Sequence, residues 1–151
     1  MDTIRKKVAL ISIIGLIIIG LIVFEPFRTE PPTPNIKAGY TIIPTIRGSY
    51  CWRGFISAKC EDTVYRSPLE LSKEHKPKVV SPNEKIKIEF YKEPIPGTLG
   101  VEQWIDEDRV EDIKMRNNAI VASKEKGVYA YYLYARWKKG GGSYTFLVEV
   151  K

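Results

Sequence analysis

The stretch Gly127-Val128-Tyr129-Ala130-Tyr131-Tyr132-Leu133-Tyr134-Ala135-Arg136-Trp137 decides the fold class. Successive side chains of a strand point to opposite faces. Tyr129, Tyr131, Leu133, Ala135 and Trp137 therefore share one face, and Val128, Ala130, Tyr132, Tyr134 and Arg136 the other. The first set is apolar or aromatic throughout and predicts a buried face. Lys138, Lys139, Gly140, Gly141, Gly142 and Ser143 then read as a hairpin loop. Beyond it, Tyr144, Phe146, Val148 and Val150 alternate with Thr145, Leu147, Glu149 and Lys151. Two long alternating segments joined by a turn predict an antiparallel pair.

Working toward the N-terminus, the same period recurs in shorter pieces. KIKIEF sets Ile86, Ile88 and Phe90 against Lys85, Lys87 and Glu89. LGVEQWI is entered through Pro94, Pro96 and Gly97, DEDRVED turns the chain, and Arg109 to Met115 pairs back. TIIPTIR predicts a strand whose Pro44 places it at a sheet edge. One short helix near 68–75 is expected from SPLELSKEH, where Ser67 caps, Pro68 takes the first helical position and Glu70 completes a capping box. Short strands at this spacing predict an all-β fold, a β-sandwich, over residues 37–151.

Val8 to Phe24 carry no charge and show no polar face. At 1.5 Å per residue the run spans about 25 Å, and Arg5, Lys6 and Lys7 can snorkel to headgroups at one end. The segment predicts a transmembrane helix over 8–24, with residues 1–7 as a cytoplasmic basic tail by the positive-inside rule. After Val23 comes Phe-Glu-Pro-Phe-Arg, with no small-x-small cleavage site and no cysteine to accept a lipid. An uncleaved signal anchor is thus expected over a removed signal. Residues 25–36 contain Pro26, Pro31, Pro32 and Pro34 and read as a proline-rich spacer. The expected location is the cell membrane, single-pass, with the C-terminal domain extracytoplasmic.

The chain has 151 residues and 44% hydrophobic content, enough for one ordinary domain and unlike a disordered or collagenous chain. Cys51 and Cys60 are its only cysteines, and an oxidising location predicts a disulfide between them. Two thiols and the single His75 fall short of a metal site, and the spacing is not the C-x-x-C of a redox motif.

Gly127-Val128-Tyr129-Ala130-Tyr131 resembles the G-x-Y-x-C signature that opens strand F of immunoglobulin-like domains, with Tyr131 in the cysteine's place. The resemblance implies that Tyr129 forms a tyrosine corner and that Trp104 stands for the buried Trp of strand C. With the anchor and Gly48-Ser49-Tyr50-Cys51-Trp52, the chain from about residue 40 also resembles small uncharacterised membrane-anchored exported proteins of Gram-positive bacteria. That second resemblance implies a location and brings no activity.

Enzymatic chemistry finds little footing. The sequence has no G-x-S-x-G, H-E-x-x-H, P-loop or G-x-G-x-x-G, and His75 sits in the lysine-rich KEHKPK. Asp106, Glu107, Asp108, Glu111 and Asp112 raise a calcium reading, but the spacing is not that of an EF-hand, and a solvated turn is the stronger one. No catalytic residue, cofactor or metal is expected. Removing Asp2, Arg5, Lys6 and Lys7 from 24 basic and 18 acidic residues leaves 21 against 17, a mild net +4. Basic residues are interleaved with acids, which argues against nucleic acid. Tyr132, Tyr134 and Arg136, beside Lys138 and Lys139, are the leading binding candidates, with Trp52 and Arg53 as a second patch. The expected function is a non-catalytic extracytoplasmic module binding a cell-wall polymer or an exported protein. The alternative is an accessory subunit acting through its transmembrane helix, although Gly15 and Gly20 are not at G-x-x-x-G spacing.

Overall fold

The computed structural model describes residues 2–63 and 67–151. In chain order these form helix α1 (Asp2–Phe24) and strands β1 (Pro34–Ala38), β2 (Thr41–Ile43), β3 (Thr45–Arg53) and β4 (Ala58–Glu61). A 3-10 turn (Pro68–Glu70) runs into the one-turn helix α2 (Leu71–Glu74). Strands β5 (Lys78–Val80), β6 (Lys85–Phe90), β7 (Gly100–Trp104), β8 (Val110–Asp112), β9 (Ala119–Val121), β10 (Gly127–Trp137) and β11 (Gly140–Val150) complete the fold. Strands make up 44% of the described residues, with two helices among them, so the all-β expectation holds.

The strands build two sheets. One has the order β2-β1-β6-β9, the other β4-β3-β11-β10-β7-β8, with β5 pairing in parallel to the end of β11. All other pairings are antiparallel. The alternation read from β10 is realised: Tyr129, Tyr131, Leu133, Ala135 and Trp137 are all buried. They meet Ile36, Ile86, Ile88, Phe90 and Ile120 of the first sheet in one core. Tyr131 stacks on Phe146 at 5.0 Å, and Phe90 meets Trp137 edge-on at 5.1 Å. Burial pushes the Tyr131 hydroxyl up to about 12.

Four expectations are corrected. The segment 25–36 is no free spacer, because Pro31, Pro32 and Pro34 are buried and β1 starts at Pro34 rather than near Lys37. The Tyr144 hydroxyl donates to the Pro32 carbonyl at 2.6 Å. Proline rings are apolar and already extended, so they cover a core edge at little entropic cost. TIIPTIR is two strands in different sheets, and Pro44, which has no N–H for a ladder, marks the crossing.

Gly140, Gly141 and Gly142 belong to β11, pairing with Trp137, Arg136 and Ala135, so Lys138 and Lys139 alone make the turn. Crowding explains the glycines: a Cβ on Gly140 would lie 2.0 Å from the Cys51 carbonyl oxygen. Trp104 pairs with Ala130 and so faces away from the shared core. There it packs with Leu69, Leu71 and Leu147 under the short helix. Trp52 and Trp137, in edge contact at 5.9 Å, are the core tryptophans instead.

The expected short helix forms, but Ser67 makes no side-chain capping bond. The Tyr129 hydroxyl donates to the Glu125 carbonyl, four residues earlier, at 3.0 Å. Helix α1 starts well before Val8 and takes in the basic lead. Its 23 residues extend about 34 Å, and residues Thr3–Phe24 are long and apolar enough to cross a membrane.

Candidate functional site

The outward face of β10 and its neighbours carries an open groove of about 800 Å³. Its floor is β11, where outward positions fall on Gly141 and Ser143, opposite Arg136 and Tyr134. Small floor residues between large flanking ones are what make the hollow. Tyr132, Tyr134 and Arg136 form one wall, and Cys51, Cys60, Glu61 and Asp62 the other.

Each wall has its own local cause. Tyr134 lies over Gly100 of β7, where a Cβ would come within 2.2 Å of the ring, so glycine lets the ring lie across the sheet. Tyr132 and Tyr134 stand 6.3 Å apart with rings tilted by 41°. Tyr134 is 41% exposed, while Tyr132 is half-buried. Arg136 is anchored through its backbone: its carbonyl accepts from the Ile95 amide at 2.8 Å, and its amide donates to Thr98 Oγ1 at 3.2 Å.

On the opposite wall the register between β3 and β11 slips between Gly142 and Tyr144, a bulge that re-aims side chains. A Cβ on Gly48 would sit 2.5 Å from Ser143 Oγ, so glycine there leaves the Ser143 hydroxyl in place. The bulge presents Ser49, whose hydroxyl donates to Asp62 Oδ1 at 2.5 Å and accepts from the Thr63 amide at 3.0 Å. Ser143 Oγ donates in turn to the Ser49 carbonyl at 3.1 Å.

The expected disulfide is formed, linking directly opposed residues of β3 and β4. It pins an edge strand whose residues are all exposed. With a sequence separation of 9, its loss should lower stability by about 2.5 to 3 kcal/mol on the chain-entropy model. Urea denaturation of the full chain with Cys51→Ala and Cys60→Ala checks this, and an unchanged midpoint contradicts it.

Along β4, Lys59 bridges Glu30 at 3.6 Å and Glu61 at 3.3 Å. Arg47 also pairs with Glu30. The Tyr50 hydroxyl, followed by Lys59, holds the Glu61 carboxyl below its ordinary value, and Arg47 does the same for Glu30. These exposed pairs tie the proline segment to the wall of the groove.

Tyr132, Tyr134 and Arg136 are thus brought together in the groove, and Arg53 meets Arg136 in an adjoining hollow of about 550 Å³ on the far side of Cys51 and Cys60. Trp52 is 3% exposed inside the core, so it is unavailable as a surface anchor. Arg53 is exposed and does not line the groove itself, and it reaches also to a hollow beside Phe24 and Lys138. Ser49, Asp62 and Ser143 went unnoticed in the sequence, since only strand register sets them beside the tyrosines.

Of the acidic run, Asp106, Glu107 and Asp108 form a turn, whereas Glu111 and Asp112 lie in β8. Asp106 accepts from the Asp108 and Arg109 amides at 3.1 and 2.8 Å, and the Arg109 side chain holds its carboxyl below the ordinary value. Among the described residues no group of His, Cys, Asp or Glu is placed to hold a metal ion. His75 caps α2 through its backbone and is exposed. No protein-family model, curated protein or solved structure matches the chain.

Proposed function

We propose that the chain is a non-catalytic, membrane-anchored module that holds an extracytoplasmic ligand, foremost a cell-wall glycan, in the groove of the second sheet. The carrying observation is the pair Tyr132 and Tyr134, standing over a small-residue floor and facing the hydroxyl and carboxylate of Ser49 and Asp62. Aromatic faces stack on sugar rings, and neighbouring hydroxyls, carboxylates and an Arg supply hydrogen bonds to sugar hydroxyls. An apolar-lined hollow with a few convergent polar groups is the usual form of such a site.

The domain is read as immunoglobulin-like. Support comes from strand order: β1-β6-β9 corresponds to A-B-E, and β11-β10-β7-β8 to G-F-C with an added C′ strand. The Tyr129 to Glu125 bond agrees with it. The block β1 to β4 and the cross-strand disulfide within one sheet are departures from that pattern. Helix α1 is read as an uncleaved anchor with the N-terminus cytoplasmic, supported by Arg5, Lys6 and Lys7 at its start.

Sedimentation of the full chain in detergent with purified cell-wall material, across a salt series, tests the ligand class. Binding should survive moderate salt, since charge alone would be screened. Tyr132→Ala with Tyr134→Ala should weaken it about tenfold or more without lowering thermal stability. Unchanged affinity removes the tyrosines from the site, and absence of binding at every salt points to an exported protein as ligand.

A second reading, an accessory subunit working through α1, is favoured by one observation: the apolar side chains of the span are covered by none of the other described residues. Retained function after exchange of α1 for an unrelated anchor excludes it.

A further inference from the structure

The end of the domain beside α1 is built differently from the groove. Helix α1 has no basic residue in its last turn and stops at Phe24, where Glu25 turns to positive φ and Pro26 follows. Its last two carbonyls accept from far along the chain. Lys92 Nζ donates to the Val23 carbonyl at 3.3 Å, and Lys139 Nζ to the carbonyls of Phe24 and Glu25 at 3.0 and 3.1 Å. These ammonium groups also oppose the negative end of the helix dipole. The Phe55 amide donates to the Pro26 carbonyl at 3.1 Å, and Lys92 pairs with Glu25 at 2.9 Å. Together the contacts fix which end of the domain adjoins the helix terminus.

That end exposes what a soluble surface ordinarily hides. Phe27, Phe55 and Ile56 are 73%, 80% and 87% exposed, a cluster of large apolar groups at the tip of the β3–β4 connection and just past the helix. Arg53 and Lys138 flank them, both exposed, and line with Phe24 and Phe55 a hollow of about 480 Å³.

We infer that this base rests on the membrane surface, with Phe55 and Ile56 inserted at the headgroup level and Arg53 and Lys138 against anionic lipid phosphates. The inference rests on α1 being a membrane anchor. If residues Thr3–Phe24 cross the bilayer, Phe24 stands at the hydrocarbon boundary. Phe55, bonded through its backbone to residue 26, is then held at nearly the same depth. Aromatic groups favour that interface, and basic groups gain there from anionic lipid. A surface apolar and cationic at once fits lipid, because apolar tips need the acyl boundary while the cations need phosphate.

The test places an indole at position 55 by Phe55→Trp, in the full chain reconstituted into phosphatidylcholine vesicles with and without phosphatidylglycerol, their acyl chains brominated near the headgroup. The unsubstituted chain gives the background of Trp52, Trp104 and Trp137. Insertion of about 5–10 Å below the surface should quench roughly half the added emission, more so with the anionic lipid. Arg53→Glu with Lys138→Glu should reduce that quenching. A parallel Phe24→Trp chain reports the helix itself. Quenching at position 24 with emission at position 55 unquenched and open to aqueous iodide overturns the docking while leaving the anchor intact. Loss of quenching at both positions overturns the anchor reading and the docking with it.

Discussion

Phe146→Ala is expected to cost the domain about 3–5 kcal/mol of unfolding free energy. Phe146 is fully buried in β11, stacks on Tyr131 at 5.0 Å with the rings only 12° from parallel, and pairs across the ladder with Thr45 as well as Tyr131. Truncation removes the transfer term for a whole ring and leaves a cavity beneath the longest pair of strands. Those strands are fixed by hydrogen bonds to neighbours on both sides, so they cannot close the gap. Urea denaturation of the full chain checks the value. A loss smaller than about 1 kcal/mol would mean that the site collapses freely and that the two sheets are not packed as described.

Gly140→Ala is expected to be nearly as damaging, by another route. Gly140 has φ +152° in a region that L side chains rarely adopt, and a Cβ there would be 2.0 Å from the Cys51 carbonyl oxygen and 3.1 Å from Trp52 Cα. Backbone at such φ costs about 1–3 kcal/mol for a residue with a side chain, and backbone atoms cannot step aside as a side-chain tip can. The expected result is loss of about 3 kcal/mol or more, with β3 displaced from the start of β11 and the groove floor distorted. A crystal structure or amide exchange of the variant would report this as lost protection over residues 50–53. Wild-type stability would show that the strands separate there without cost.

Much of the fold was written in period two. In β10 and β6 one face is wholly apolar, so alternation alone assigned the buried set, and Tyr129, Tyr131, Leu133, Ile86 and Ile88 all lie where it puts them. The failures share a cause. Gly140 to Gly142 carry turn chemistry locally, but Gly140 answers to the close approach of β3, about ninety residues away, and Gly142 to Pro31. Pro31 and Pro32 read as spacer because composition does not record that Tyr144 waits to donate to residue 32. The three-residue strands β5 and β9 are too short for a pattern, and tertiary pairing alone makes them strands.

The site was half legible for the same reason. Tyr132, Tyr134 and Arg136 are neighbours on one strand face and could be grouped by spacing. Trp52 could not be judged, because in β3 it alternates with Tyr50 into the core while Cys51 takes the outward place. The opposite wall, Ser49 and Asp62, depends on a bulge whose position only the β3–β11 register defines.

The proposed seat of the ligand is the outward face of β10. Hydroxyl-radical footprinting of the full chain, with and without saturating cell-wall glycan, tests it most directly. Oxidation of Tyr132 and Tyr134 should fall severalfold on binding, while Tyr40 and Tyr91, exposed elsewhere on the domain, are oxidised as before. Bound glycan that leaves Tyr132 and Tyr134 as reactive as in the free chain would contradict it.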